Sequence, residues 1–153
     1  MHISIVYATY SGSTMTASQV LSDELTTAGA HVDQLLAIET TPEQVQASDL
    51  IIFGSPSWDY NGKQGMPHED FEGLMERFKD HSFPDKKTAI LGLGDSNYTH
   101  FCGAVAHLQD FTKKLKLVEL VEPLKIDQFF VDETTHTTAI KDWAQKIMTA
   151  LSS

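Results

Sequence analysis

Leu50, Ile51, Ile52 and Phe53 follow one another without a polar break. A strand with one wet face alternates apolar and polar residues. A run that is apolar at every position needs cover on both faces, as in a parallel sheet held between helix layers. Ile3, Ile5 and Val6 begin a similar run, and Thr88 to Leu93 form a third. Between and after these runs, apolar residues recur at helical spacing: Ala17, Val20, Leu21, Leu25 and Ala28, closed by Gly29 as a cap; Phe71, Leu74, Met75 and Phe78; Ala104, Leu108, Phe111 and Leu115; and Ile140, Trp143, Ala144, Ile147 and Leu151. Trp143 belongs to that last stripe and is expected in the core. Val32, Leu35 and Leu36 mark a strand over 31–38, and Pro42 opens a short helix. A last strand spans 117–126, interrupted by Pro123. Five strands alternating with helices predict an α/β fold, a doubly wound five-stranded parallel sheet with helices on both faces. The 153 residues suit a single domain over 1–153, with no repeat or linker.

In such sheets ligands bind beyond the carboxyl ends of the strands. Three loops leave those ends with unusual content: 9–14, 55–68 and 94–102. The first packs Thr9, Tyr10, Ser11, Gly12, Ser13 and Thr14 between a strand and a helix. It carries five side-chain hydroxyls, and Gly12 permits a tight turn or a close backbone approach. A helix start offers unpaired N–H groups and the positive end of a dipole, so this turn reads as a phosphate cradle. The alternative is an ordinary capped helix, with Ser11, Ser13 or Thr14 as the cap. No Lys or Arg precedes Lys63, so a phosphate here would meet neutral donors only. The turn lacks the Gly-Lys-Ser/Thr of a P-loop and the three glycines of a dinucleotide turn. The second loop is polar and punctuated by Gly and Pro, and offers Ser57, Trp58, Asp59 and Tyr60. The third offers Asp95, Ser96, Asn97, Tyr98, Phe101 and Cys102. An aromatic on each, beside a phosphate turn, suits a flat aromatic ligand bearing a phosphate.

Charge narrows the partners. A formal net charge of -10 argues against nucleic acid and anionic membranes. No apolar stretch approaches the ~20 residues of a membrane span. One cysteine excludes an internal disulfide framework, and with no export pattern at the N-terminus a cytoplasmic location is expected. No His, Cys and carboxylate set has metal-ligand spacing, so no metal site is expected.

The three loops together resemble those of short-chain flavodoxins. TYSGST is similar to the family's phosphate loop, Ser/Thr-x-Thr-Gly-Asn-Thr. FGSPSW resembles the strand end that leads to the first flavin-stacking aromatic, and GDSNYTHFCGAV the loop that carries the second. The match runs in order from about Ile3 to Ile126. The resemblance implies the flavodoxin-like strand order 2-1-3-4-5, with FMN at the switch point. It implies one non-covalent FMN and one-electron transfer between redox proteins. Thr9, Tyr10, Ser11, Gly12, Ser13 and Thr14 would hold the phosphate, with Pro56 standing where some members place a further hydroxyl. Trp58 and Tyr98 would sandwich the ring, with Ser57, Asp59 and Tyr60 beside it. Asp95 would meet the ribityl chain or ring edge, and Leu93, Gly94, Phe101 and Cys102 the pyrimidine.

The charge pattern agrees with a strong reductant. Asp59 and Asp95 lie near the ring, and each opposes a further negative charge by about 1–2 kcal/mol at ~10 Å and an effective dielectric of ~20. Three departures from the family pattern stand out. Ser13 replaces Asn, with little expected change. Asp59 follows the aromatic where many members have Gly, so the peptide flip that accompanies reduction there should cost roughly 1 kcal/mol or more. Tyr60, before an Asn61-Gly62 turn, competes with Trp58 for the flavin face. Cys102, with no second thiol, reads as a small side chain that offers its backbone, and His100 as a surface residue.

Three other functions were weighed. A phosphoryl-accepting receiver needs an acidic pair after the first strand, where this chain has Tyr-Ala-Thr-Tyr-Ser. A cysteine phosphatase needs an Arg after its nucleophile, where Cys102 is followed by Gly-Ala-Val-Ala-His-Leu. An FMN-dependent two-electron quinone or NAD(P)H reductase of the same fold remains the alternative. The acidic residues Asp59, Glu69, Asp70, Glu72, Asp127, Asp132 and Glu133 are placed to ring the flavin edge. They favour transient docking of basic redox proteins, a flavodoxin reductase and acceptor enzymes, on a monomer.

Overall fold

The computed structural model describes residues 1–60, 63–97 and 101–153, with Tyr60 described by its backbone alone. β1 (His2–Tyr7) leads into α1 (Ser13–Thr27), then β2 (His31–Leu36), the single turn α2 (Pro42–Val45) and β3 (Leu50–Tyr60). β4 (Lys63–Pro67), α3 (Asp70–Phe78), β5 (Lys87–Gly94) and α4 (Ala104–Lys114) follow. β6 (Val118–Glu119), β7 (Leu124–Asp127) and α5 (Glu133–Leu151) complete the chain. The parallel sheet runs β2-β1-β3-β5, and both β6 and β7 pair with the outer side of β5. That is the expected order, with the fifth strand in two pieces. The break falls at Leu120–Pro123, where proline has no N–H for a ladder.

The apolar runs divide their side chains between two cores. Ile3, Ile5, Leu50, Ile52, Ala89 and Leu91 face α1 and α5, where they meet Leu21, Leu25, Ile140, Trp143 and Ile147. Val6, Ile51, Phe53 and Ile90 face α3 and α4, against Phe71, Leu74, Phe78, Leu108 and Phe111. Phe53 is fully buried with its ring edge toward Phe71 and Phe111. Such burial stabilises by roughly 1.5–3 kcal/mol per side chain. Trp143 is buried as expected, and its indole Nε1 donates to the Glu122 carbonyl at 2.9 Å, across the gap between β6 and β7.

α1 closes as the sequence predicts. Gly29 sits at φ 102°, Gly29 N–H donates to the Thr26 carbonyl and Ala30 N–H to the Leu25 carbonyl, a Schellman closure. The one substantial correction concerns residues 55–68, which are not an open loop. β3 continues past the sheet to Tyr60, and β4 returns antiparallel to it, pairing Trp58 with Met66 and Ser57 with Pro67. The register shifts between Trp58 and Tyr60, so Asp59 sits at a bulge.

Candidate cofactor site

The site begins where β1 ends. Thr9 Oγ1 accepts the Gly12 N–H at 2.9 Å and folds the turn back on itself. Gly12, at φ 93°, is the N-cap of α1, a left-handed conformation natural to glycine. No side chain caps the helix, so the capped reading involving Ser11, Ser13 or Thr14 is not what forms. Thr14 is fully buried, and its hydroxyl has no hydrogen-bond partner among the described residues. A buried hydroxyl left unpaired costs about 1–3 kcal/mol. An acceptor placed at this helix start would relieve that cost.

In front of the turn lies a cavity of about 600 Å3, within the usual range of small-molecule sites. Tyr10, Ser11 and Ser13 line it from the first loop. Pro56, Ser57, Trp58, Asp59 and Gly65 line it from the β3–β4 ribbon, and Leu93, Gly94, Asp95 and Cys102 from the end of β5 and the loop after it. The three loops therefore converge. No Lys or Arg is among the described lining residues. The single Arg77 is engaged elsewhere, donating to the Thr40 and Ala37 carbonyls.

Internal bonds hold these walls in place. Ser57 Oγ accepts the Ala104 N–H at the start of α4, and Ser55 Oγ accepts the His68 N–H. Asp59 Oδ1 accepts the Gly65 N–H at 2.8 Å, which ties its carboxylate across the ribbon. Asp95 Oδ1 accepts from Asn97 N–H and from Gln128 Nε2. Trp58 is about half exposed, with the Tyr10 ring packed edge-on against it at 4.8 Å between centroids. Tyr10 in turn stacks on His68 at 3.9 Å. Burial raises its phenol above the ordinary value, as do Glu69, Asp70 and Glu72, while a hydrogen bond from the Glu69 backbone opposes the shift. The Tyr10 side chain thus belongs to the α3 side, which leaves its backbone for the phosphate turn.

Cys102 is buried at φ 49°, and burial pushes its thiol up to about 12. A thiol held protonated is no nucleophile, in keeping with the reading of Cys102 as a small wall residue. A Cβ on Gly94 would meet Cys102 N at 3.0 Å and Cys102 Sγ at 3.1 Å, so any side chain there would require that loop to give by a few tenths of an ångström. Phe101 packs against the α3–α4 core and is not among the lining residues. Tyr98 and His100 lie outside the described residues, as does the side chain of Tyr60.

Sequence reasoning missed one wall. Gln128, Phe129, Phe130 and Val131, between β7 and α5, also line the cavity. Phe130 and Val131 stay largely exposed, and Gln128 holds φ 50° while its N–H donates to the Gly94 carbonyl. The signal was present in Phe129-Phe130-Val131, an apolar run at the carboxyl end of the last strand.

Comparison with known proteins follows the same outline. A family model described as Flavodoxin matches residues 5–143. A flavodoxin of Nitratidesulfovibrio vulgaris (strain DSM 19637 / Miyazaki F) is 28% identical over 151 residues, 98% of this chain and 99% of the relative. Among solved structures, a short-chain flavodoxin associated with a bacterial microcompartment superposes with a TM-score of 0.86 at 20% identity, covering 99% of both chains. The Fusobacterium nucleatum flavodoxin, solved bound to flavin mononucleotide, gives a TM-score of 0.82 at 17% identity over 97% of both chains.

Proposed function

This chain belongs to the flavodoxin family, and on that premise we propose that it holds one non-covalent FMN in the cavity at the carboxyl end of its sheet and carries electrons one at a time between redox proteins. It is an electron-transfer protein of the kind its relatives are, not an enzyme with a substrate of its own. The observation that carries the site is the start of α1, an uncapped helix N-terminus whose Ser11 and Ser13 line an aromatic-walled cavity, followed by a buried Thr14 hydroxyl with no partner among the described residues. Bound FMN supplies the ring that accepts and releases electrons.

The chain's own residues do the rest. The hydroxyls of Thr9, Ser11, Ser13 and Thr14, with the backbone N–H groups of Tyr10, Ser11, Ser13 and Thr14, receive the phosphate without a cation, while the Gly12 N–H stays on Thr9 Oγ1 and shapes the turn. Trp58 covers one face of the ring. Tyr98, the resemblance's candidate for the other face, is joined by Phe130 and Val131 as apolar cover. Leu93, Gly94 and Cys102 present backbone to the ring edge, with Phe101 supporting that loop from behind. Asp59 and Asp95 keep two carboxylates at the cavity and resist the second electron, which lowers its potential.

Flavodoxins exchange electrons with reductases and acceptors. For this chain the partners are basic redox proteins, a flavodoxin reductase and acceptor enzymes, which dock transiently on a monomer. Asp127, Asp132 and Glu133 flank the Gln128–Val131 wall in sequence, and Glu69, Asp70 and Glu72 lie at the start of α3 beside Tyr10. The rate at which they reduce this protein, or are reduced by it, should fall steeply with ionic strength. The free, buried Cys102 suits a reducing compartment, and we place the protein in the cytoplasm. No described helix is long and apolar enough to cross a membrane.

Anaerobic reductive titration followed by absorbance tests the reading. Two resolved one-electron steps are expected, with the second at low potential. A single two-electron step would move the assignment to a two-electron reductase. Failure to take up FMN would overturn the site itself.

A further inference from the structure

The other end of the sheet carries a second constellation. β2 is an edge strand, and its register against β1 sets His2 opposite His31 and Ser4 opposite Asp33. Registered neighbours on parallel strands share a face, and so do residues two apart on one strand. His2, His31 and Asp33 therefore emerge together at the amino ends of the two strands, remote from the cavity. The Asp33 carboxylate lies between two imidazoles, with Oδ2 2.6 Å from His2 Nε2 and Oδ1 3.5 Å from His31 Nε2. The ring centroids are 5.0 Å apart, and one donor atom from each residue lies within 4.8 Å of the other two. Backbone bonds fix the platform. His2 N–H donates to Asp49 Oδ2, the His2 carbonyl accepts the Asp49 N–H, and the Met1 carbonyl accepts the His31 N–H.

We propose that His2, His31 and Asp33 form a three-ligand site for a divalent transition cation of the Zn2+ class. Two imidazoles with one carboxylate suit Zn2+, Cu2+ or Ni2+, whereas Mg2+ and Ca2+ take oxygen ligands. Ligand bonds of roughly 2.0–2.2 Å place the donors of one tetrahedral ion roughly 3.3 Å apart. The separations seen here, 2.6 and 3.5 Å with all three donors within 4.8 Å of one another, bracket that spacing. The cation replaces the proton shared by His2 and Asp33, draws in His31, and keeps a water in its fourth position. The expectation of no metal site was drawn from residue spacing alone, whereas the proposal rests on strand register. His2 and His31 are remote in sequence and become neighbours only once β1 and β2 pair. The inference is independent of the FMN reading.

Calorimetric titration of the tag-free, FMN-loaded full chain with ZnCl2, and with MgCl2 as control, tests it. One saturable Zn2+ equivalent is expected, with proton release on binding and no saturable Mg2+ signal. His31 is 74% exposed, so His31→Ala does not threaten the fold. It should weaken Zn2+ binding about tenfold or more, as should Asp33→Asn. Zn2+ should shift the imidazole NMR signals of His2 and His31 and leave that of His136 in place. Absence of saturable Zn2+ binding would overturn the proposal, as would unchanged affinity in both variants.

Discussion

Two helix starts in this molecule are built in opposite ways. α2 is one turn long, yet it is closed on itself. Thr41 Oγ1 accepts the Gln44 N–H, Gln44 Oε1 accepts the Thr41 N–H, and Glu43 adds negative charge in the first turn. α1 is 15 residues long and has the larger dipole, yet it opens on Gly12 with no side-chain cap and no acidic residue in its first turn. The omission is not for want of material, since hydroxyls crowd that turn. At α2 the N–H groups serve stability. At α1, where we propose that the phosphate binds, no described side chain takes them up, and the Thr14 hydroxyl has no partner among the described residues.

A charge placed at the open start would break this contrast most forcefully. Ser13 is the first residue of α1 and lines the cavity. Ser13→Asp supplies the missing acidic residue and should raise the stability of the FMN-free protein by about 0.3–1 kcal/mol. The same carboxylate faces the phosphate, and at ~4 Å with an effective dielectric of ~20 the repulsion is about 4 kcal/mol. FMN binding, read by flavin fluorescence quenching, should weaken roughly a thousandfold. If FMN bound as before, the start of α1 would not be the phosphate site.

Thr14→Val separates the two roles at one atom. The side chains match in shape, and the unpaired buried hydroxyl disappears. Urea denaturation should show the FMN-free protein no less stable than before. A hydrogen bond to a charged group contributes about 1.5–3 kcal/mol, so FMN affinity should fall roughly 10- to 150-fold. A loss of stability in the free protein would mean that the hydroxyl has a structural partner after all.

Thr41→Ala is the mirror experiment. It removes one half of the capping box at α2 and should cost about 1 kcal/mol of stability. FMN affinity should not change, because α2 does not line the cavity. A loss of affinity there would erase the contrast between the two starts.

Much of this was legible because it depends on local pattern. Leu50 to Phe53 must be covered on both faces, and the structure divides them between two cores. The loops at the strand ends drew attention through hydroxyls and aromatics, and they do meet. What stayed hidden depends on contacts between distant residues. KQGMP shows no strand alternation; it becomes β4 because Asp59 accepts the Gly65 N–H and Ser55 the His68 N–H. Tyr10 gave no sign that its ring would rest on His68 and Trp58. Phe129 to Val131 form an apolar run whose role as a wall exists only once β7 pairs with β5.

The smallest effect tests the contrast from the closed side. Asp127, at the end of β7, is used as the residues of α2's start are: its Oδ1 accepts the Ser96 N–H at 2.9 Å and its Oδ2 the Ser96 hydroxyl at 2.6 Å. The Ser96 hydroxyl bond lowers the carboxyl from its ordinary value of 3.8, the Ser96 backbone bond adds to this, and partial burial opposes it. A folded-state value below the unfolded one contributes stability that is present above pH 3.8 and is lost as pH falls through the depressed folded value. Ser96→Ala removes the hydroxyl bond that lowers it most, so an NMR titration should move Asp127 upward toward 3.8 and shrink that acid-side loss. FMN affinity at neutral pH should stay the same, because Ser96 is absent from the described cavity lining. An Asp127 titration unmoved by Ser96→Ala would mean that these carboxylate bonds do not order the loop in solution, and the distinction between committed and open polar groups would then rest on α1 and α2 alone.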